Sequence, residues 1–347
     1  MYITDCYVNV LYLRMQNRQL TLMDAVMSFS PRTKMSKAVK TLNQLHDMVN
    51  WQALVNIVSD LDKTKNGLGG RPPIAYEVKL KMLFLQYTFN LSDEELEDQL
   101  IDRLSFQQFV GLSFEQEIPD FTTIWKFKEA LVQSGKMDRI FSSIVHQIEL
   151  QGVILKKGTI VDATIIPSGN RPLSKGKRKK LEENPSSQID TDAQSTEKNG
   201  RKYFGYKGHI GIDAESKIIR KRTFTPANVH DSVEMENLMS GDEQSIWADK
   251  AYPKQKDKRA ARAMGIYYGV LDKATRGKKL SAKQEKRNRQ KSSVRAAVEH
   301  TFGFMNKKLK VAALYAKNKM RNALRFDMWC IIYNVLRADF LLKRKPA

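Results

Sequence analysis

Three acidic residues stand in settings that suit metal-assisted chemistry at phosphorus. Asp162 lies inside the apolar run Thr159-Ile-Val-Asp-Ala-Thr-Ile-Ile166. Asp249 closes the run Ser245-Ile-Trp-Ala-Asp249. Glu299 belongs to a helical pattern, Ser293-Val-Arg-Ala-Ala-Val-Glu299-His-Thr-Phe-Gly303. A carboxylate in a buried strand is costly unless something compensates its charge. Three such groups converging on one point would bind a hard divalent cation, and oxygen ligands suit Mg²⁺, which keeps positions open for water and phosphate. Two ions held there would support in-line displacement at a phosphodiester.

The elements that must position these groups can be read around them. Thr159–Ile166 is apolar on both faces, as a central strand should be, and Asp162 alternates with Ile160 and Thr164 on one of them. Asp249 falls at the carboxyl end of its strand, where open sheets place ligands. Glu299 lies four residues from Arg295 on a helix. Each acid also has a plainer reading. Asp162 would be a buried partner of a lysine or arginine, Asp249 a helix cap ahead of Pro253, and Glu299 one half of a surface pair with Arg295. Their joint occurrence, in the order of the surrounding elements, favours a common site.

Between them, Tyr206–Asp213 and Lys217–Thr225 read as two strands around a turn at Ala214-Glu-Ser. Asp231–Met239 reads as a helix and Ser245–Asp249 as a strand. Pro253 is placed at the first turn of a helix reaching Met264, and Ile266–Leu271 is a further strand. This order is that of an α/β, ribonuclease-H-like catalytic domain, a mixed sheet with flanking helices, over 151–343. Residues 168–202, with basic residues crowded at 175–180 and little to build a core, are expected to form a mobile basic insertion.

A small all-helical domain over 37–150 precedes it, behind a weakly ordered segment, 1–36. The spacing predicts one helix from about Lys37 to Leu61, a Gly- and Pro-rich loop at 63–73, and an apolar helix over Tyr76–Asn90. Ser92 with Glu95 makes a capping box, and Asp120 caps Phe121–Leu131. Short helices with tight turns suit a helix-turn-helix, or a scaffold or dimerisation unit.

Charge is distributed unevenly. The chain has 347 residues and a formal charge of +21; the first 150 residues hold 16 basic against 18 acidic side chains, and the remainder 43 against 20. All the excess therefore lies in the half that holds the three acids, which points to a polyanionic partner. Lys273–Lys291 holds nine basic residues and one acid, Glu285, and leads directly into Glu299. Within it Lys283, Lys286, Arg287 and Arg289 are candidate phosphate contacts. His230 is a candidate for DNA or a metal-bound water, or else caps the following helix; Lys250, beside Asp249, is a further DNA candidate. No apolar run approaches the ~20 residues that span a bilayer. No signal peptide is read at the start, and two cysteines, Cys6 and Cys330, match no disulfide framework, so a cytoplasmic protein is expected. No glycine loop for ATP phosphates is present.

Taken together, the motifs resemble those of DDE transposases of the bacterial insertion-sequence-five family. Gly69-Gly-Arg-Pro-Pro73 and the helices to Leu131 are similar to that family's N-terminal domain. Val161-Asp-Ala-Thr164, Tyr206-Lys-Gly-His209, Thr225-Pro-Ala-Asn-Val-His-Asp-Ser232, Ala248-Asp-Lys-Ala-Tyr252 and Arg295-Ala-Ala-Val-Glu-His300 are similar to its catalytic core. The resemblance spans about residues 40–340. It implies a catalytic triad of Asp162, Asp249 and Glu299 holding two Mg²⁺ ions, with Mn²⁺ able to substitute, and an Arg295 that contacts DNA. The family's pattern has a tyrosine where this chain has Ser292, and a lysine where it has Asn306, with Lys307 next as the DNA-contact candidate. Implied partners are the element's terminal inverted repeats, target DNA, and further copies of the chain as a homodimer or higher assembly on DNA, near the nucleoid and away from membranes. The alternatives are a nuclease of the same fold without strand transfer, and a catalytically inactive DNA-binding regulator.

Overall fold

The computed structural model describes residues 35–61 and 74–344, apart from 114, 185, 187–188, 199, 253–254, 275–276, 278 and 310–312. Most of the segment expected to be weakly ordered, the 63–73 loop, Pro253 and Cys6 lie outside the described residues.

Seven helices precede the sheet among the described residues: α1 (Lys37–Met48), α2 (Trp51–Val58), α3 (Tyr76–Phe89), α4 (Asp93–Asp102), α5 (Leu104–Val110), α6 (Phe121–Ser134) and α7 (Met137–Leu150). Side-chain caps set several of their starts. The Ser92 side chain accepts from the Glu95 amide and Glu95 reciprocates, and Asp120 accepts from Thr123 N–H, as the spacing predicts. The single helix expected over 37–61 is instead two. Val49 is extended, and the Asn50 side chain accepts from Ala53 N–H to start α2. In α3 every residue from Leu80 to Tyr87 is buried; Lys81 among them pairs with Glu77 at 2.6 Å.

The sheet follows: β1 (Thr159–Pro167), β2 (Gln194–Lys198), β3 (Arg201–Asp213), β4 (Ile219–Pro226), β5 (Ser245–Ala248) and β6 (Tyr267–Tyr268). β1 is central, antiparallel to β3 and parallel to β5, which in turn runs parallel to β6. β3 is long enough to pair with β2 through Arg201–Gly205 and with β4 through Tyr206–Ile212. The helices are α8 (Lys175–Glu183), α9 (Gln255–Ala263), α10 (Ala282–Lys308) and α11 (Lys319–Leu342). The mixed sheet with flanking helices, behind a helical N-terminal region, is the expected ribonuclease-H-like architecture.

α11 joins the two parts. Trp329, Phe326, Ile331 and Ile332 are fully buried on it, in one core that also takes in α1–α7 and the sheet. Polar ties add direction: Arg222 of β4 binds Asp327 of α11 at 2.7 Å and Asp138 of α7 at 3.1 Å, and Arg321 of α11 binds Glu129 of α6 at 2.6 Å. Gly208 on β3 permits the approach of α11. A Cβ there would stand 2.3 Å from the Phe326 ring.

Two expected elements change, and the 168–202 segment holds regular structure. Residues 168–202 contain a helix, α8, capped by Ser174, and an edge strand, β2. Asp190 ties this segment down: it is buried and accepts from the Tyr206 hydroxyl at 2.7 Å and from the Ala193 amide. The segment has few apolar residues, and the buried, hydrogen-bonded Asp190 links it to β3. The helix expected at 231–239 is two 3₁₀ turns, Asp231–Val233 and Glu236–Leu238. The strand expected over 266–271 is only Tyr267–Tyr268.

Candidate active site

The sheet register brings two of the three acids together. Val161 of β1 lies beside Ala248 of the parallel strand β5. One residue further along each strand are Asp162 and Asp249, so they neighbour each other on the same face. β5 ends at Ala248, which leaves Asp249 just past its carboxyl end. Asp162 is partly buried, and its Oδ1 accepts from the Ala163 amide at 2.8 Å.

α10 crosses this face. Its start is fixed by a capping box of Ser281 and Gln284, and Lys291, Val298, Thr301 and Met305 are its buried residues. At about 100° per residue, Arg295 falls at the rim of that buried face. Its Nη2 donates to Asp162 Oδ2 at 3.0 Å, and its Nη1 lies 3.6 Å from Asp249 Oδ1. The plainer reading of Asp162, as the partner of an arginine, is thus part of the structure. Burial raises the Asp162 pKa, while the Arg295 charge pulls it down and the Asp249 charge adds to the rise.

This geometry tests whether the residues suit a divalent cation. Two carboxylates from adjoining strand ends already converge on one positive group, and both offer hard oxygen donors. The pair fits such an ion. Glu299 stands apart: it is exposed, one turn beyond Arg295 and about 40° further toward solvent. Among the described residues no three His, Cys, Asp or Glu side chains are gathered closely enough to hold an ion.

Behind the pair lie further members of the catalytic-core motifs, to which the sequence assigned no role of their own. Tyr252 is fully buried, and its hydroxyl has no hydrogen-bond partner among the described atoms. Burial raises its pKa first, then the charges of Asp231 and Asp162. His209, on β3 beside Ala163, is also fully buried. Its Nε2 shares a hydrogen bond with Thr225 Oγ1 at 2.8 Å, and burial holds its pKa down to about 4. It is therefore neutral at pH 7. Lys207 and Asp231 pair nearby at 2.8 Å. Lys207 and His209 stand out in the sequence as polar residues within Tyr206–Asp213, the otherwise largely apolar part of β3.

The remaining candidates divide. His230 caps the first 3₁₀ turn, with Nδ1 against Ser232. Lys250, Lys283, Lys286, Arg289 and Lys307 are exposed. Arg287 is about half-exposed and lies 3.4 Å from Asp272. Lys291, the last member of the basic run, is not available to phosphate: it is buried and donates to the Val270 carbonyl at 2.7 Å. Asp213 holds the β3–β4 turn by accepting from the Ser216 amide and hydroxyl.

The fold and the paired acids define a catalytic domain of ribonuclease-H-like build. A family model described as "Transposase DDE domain" matches residues 155–335, and another described as "Transposase domain (DUF772)" matches residues 30–130. The chain belongs to the DDE transposase family. Among solved structures it is similar to piggyBac transposase in a cryo-EM synaptic complex with hairpin DNA. That likeness has 10% identity, covers 89% of this chain and 76% of the other, and has a TM-score of 0.45; it is too loose to carry more than the comparison itself. No helix among the described residues is long and apolar enough to cross a membrane.

Proposed function

We propose that the chain is the transposase of a bacterial insertion element, of the insertion-sequence-five branch it resembles. It cuts the ends of the element and joins the freed 3′ hydroxyl to target DNA. The observation that carries this reading is the pair Asp162 and Asp249 at adjoining strand ends, converging on one cation beside a strongly basic helix.

Asp162, Asp249 and Glu299 are the residues that would hold divalent ions, Mg²⁺ first. When bound, such ions supply Lewis acidity and activate water for in-line attack. Asp162 offers a carboxylate oriented by the Ala163 amide, and Asp249 closes the pair from the neighbouring strand. Glu299, exposed one turn beyond Arg295 on α10, would complete the set. Lys283, Lys286 and Arg289 project from α10 into solvent, where they track the DNA backbone. Water attack at the element end leaves a 3′ hydroxyl, and that hydroxyl then displaces a phosphodiester oxygen in the target. The DNA is duplex, its ends and target are held by two or more copies of the chain, and the compartment is the cytoplasm around the nucleoid.

The test is a strand-transfer assay. DNA carrying the inverted repeats that flank the gene is incubated with the full chain, Mg²⁺ and a plasmid target. The expected product joins the element's 3′ ends to the plasmid. Free ends without joined product would mark a nuclease, and binding with neither would mark a regulator.

A further inference from the structure

The carboxylate pair already has a cation, and the chain itself provides it. Arg295 reaches both acids through separate Nη atoms, at 3.0 Å to Asp162 and 3.6 Å to Asp249. A divalent ion bound by the same two carboxylates would occupy the region of that guanidinium. An ion that takes the Asp162 and Asp249 oxygens now held by Arg295 would repel that guanidinium, so the two occupants compete.

The hold on Arg295 is also incomplete. Its Nε is buried without a hydrogen-bond partner, so the guanidinium is anchored only at its outer nitrogens. Its side chain is 15% exposed, at the rim of the helix face. Along α10 the half-exposed Arg287, about two turns before Arg295 and about 80° round the helix, would bring DNA phosphates near that rim. A phosphate offers a guanidinium the bidentate geometry that it now divides between two carboxylates. Glu299 lies one turn along the same helix, so a vacated pair adjoins the third acid.

We propose that Arg295 is an exchangeable occupant of the carboxylate site. It neutralises Asp162 and Asp249 in the DNA-free chain and swings to a phosphate when DNA binds, so that DNA opens the pair to a divalent ion. The proposal rests on the reading of Asp162 and Asp249 as ion ligands. It makes Arg295 a positioning residue that couples two ligands. Coupling of this kind is reciprocal: Mn²⁺ must tighten DNA binding by the factor by which DNA tightens Mn²⁺ binding.

The experiment titrates Mn²⁺ into the full chain and follows the free ion by electron paramagnetic resonance, with and without a short duplex. Wild type is expected to bind Mn²⁺ at least about tenfold more tightly with DNA, within the usual range of such coupling. Arg295→Gln should bind Mn²⁺ more tightly than wild type without DNA and lose most of the DNA effect. Arg295→Lys, which keeps the charge but not the fork that spans both acids, should fall between. Equal or weaker Mn²⁺ affinity in DNA-free Arg295→Gln and Arg295→Lys, relative to wild type, would overturn the exchange while leaving the ion site standing. If DNA-bound wild type shows no Mn²⁺ binding that Asp162→Asn removes, the ion-site reading fails, and the exchange with it.

Discussion

Asp162→Asn is expected to lower end cleavage and strand joining together by at least about 10³-fold, or about 4 kcal/mol in the barrier. With divalent ions absent, DNA affinity is expected not to weaken by more than about threefold, less than 1 kcal/mol. The side chain keeps its size and still accepts from the Ala163 amide, but the buried negative charge is gone. Because burial already raises the Asp162 pKa, ionising it costs the fold something. Its removal therefore takes away charge from the site without opening a cavity. Arg295 retains Asp249 as a partner. Asp249→Asn and Glu299→Gln act in the same direction, and Glu299 is exposed, so its change leaves packing untouched. Cleavage and joining are read on gels with end-labelled DNA, and binding by fluorescence anisotropy. A near-normal rate in any one variant removes that residue from the chemistry.

Replacing Lys283, Lys286, Arg287 and Arg289 with glutamine flattens the salt dependence of DNA binding. Each neutralised phosphate contributes roughly −0.9 to the slope of log affinity against log salt. Four exposed or half-exposed cations on one helix would remove up to about 3–4 units, which near 0.1 M salt is about 10³-fold in affinity. Arg287 contributes least, since Asp272 lies beside it. The loss should be equal for element-end and random DNA, because phosphate contacts carry no sequence information. Lys291→Gln belongs to a different class: it breaks a buried tie to the Val270 carbonyl and shows as lost stability. Titration of the full chain over a range of salt concentrations decides the matter. An unchanged slope in the fourfold variant would place the DNA path away from the start of α10.

What the sequence disclosed follows from the strength of its local signals. Ser92 with Glu95 and Asp120 fixed their helix starts, because capping is local chemistry that reads directly from spacing. The strand around Asp162 was legible from its two-faced apolar run, and Asp249 from the run it closes. The break between α1 and α2 was missed although Asn50 carried the cap signal, because apolar periodicity continues through it. α11 gave little periodic signal for the opposite reason. It is buried on nearly every side, so no polar face marks its orientation. The order in 168–202 rests on Asp190, whose value depends on partners in β3 that no local window contains. At the site, the sequence could set Arg295 one turn from Glu299, but only the packing of α10 on the β1–β5 pair turns it to both aspartates.

The most direct measurement of the central claim locates the ion itself. Fe²⁺ is loaded in place of Mg²⁺ on the DNA-bound full chain, and ascorbate with peroxide then generates hydroxyl radicals that cut the backbone beside the ion. Cuts are expected in β1 near Asp162, just after β5 near Asp249, and in α10 near Glu299, and all are expected to disappear in Asp162→Asn. Cuts confined to other segments, or cuts at these places that persist in Asp162→Asn, would contradict the assignment of the chemistry to these carboxylates.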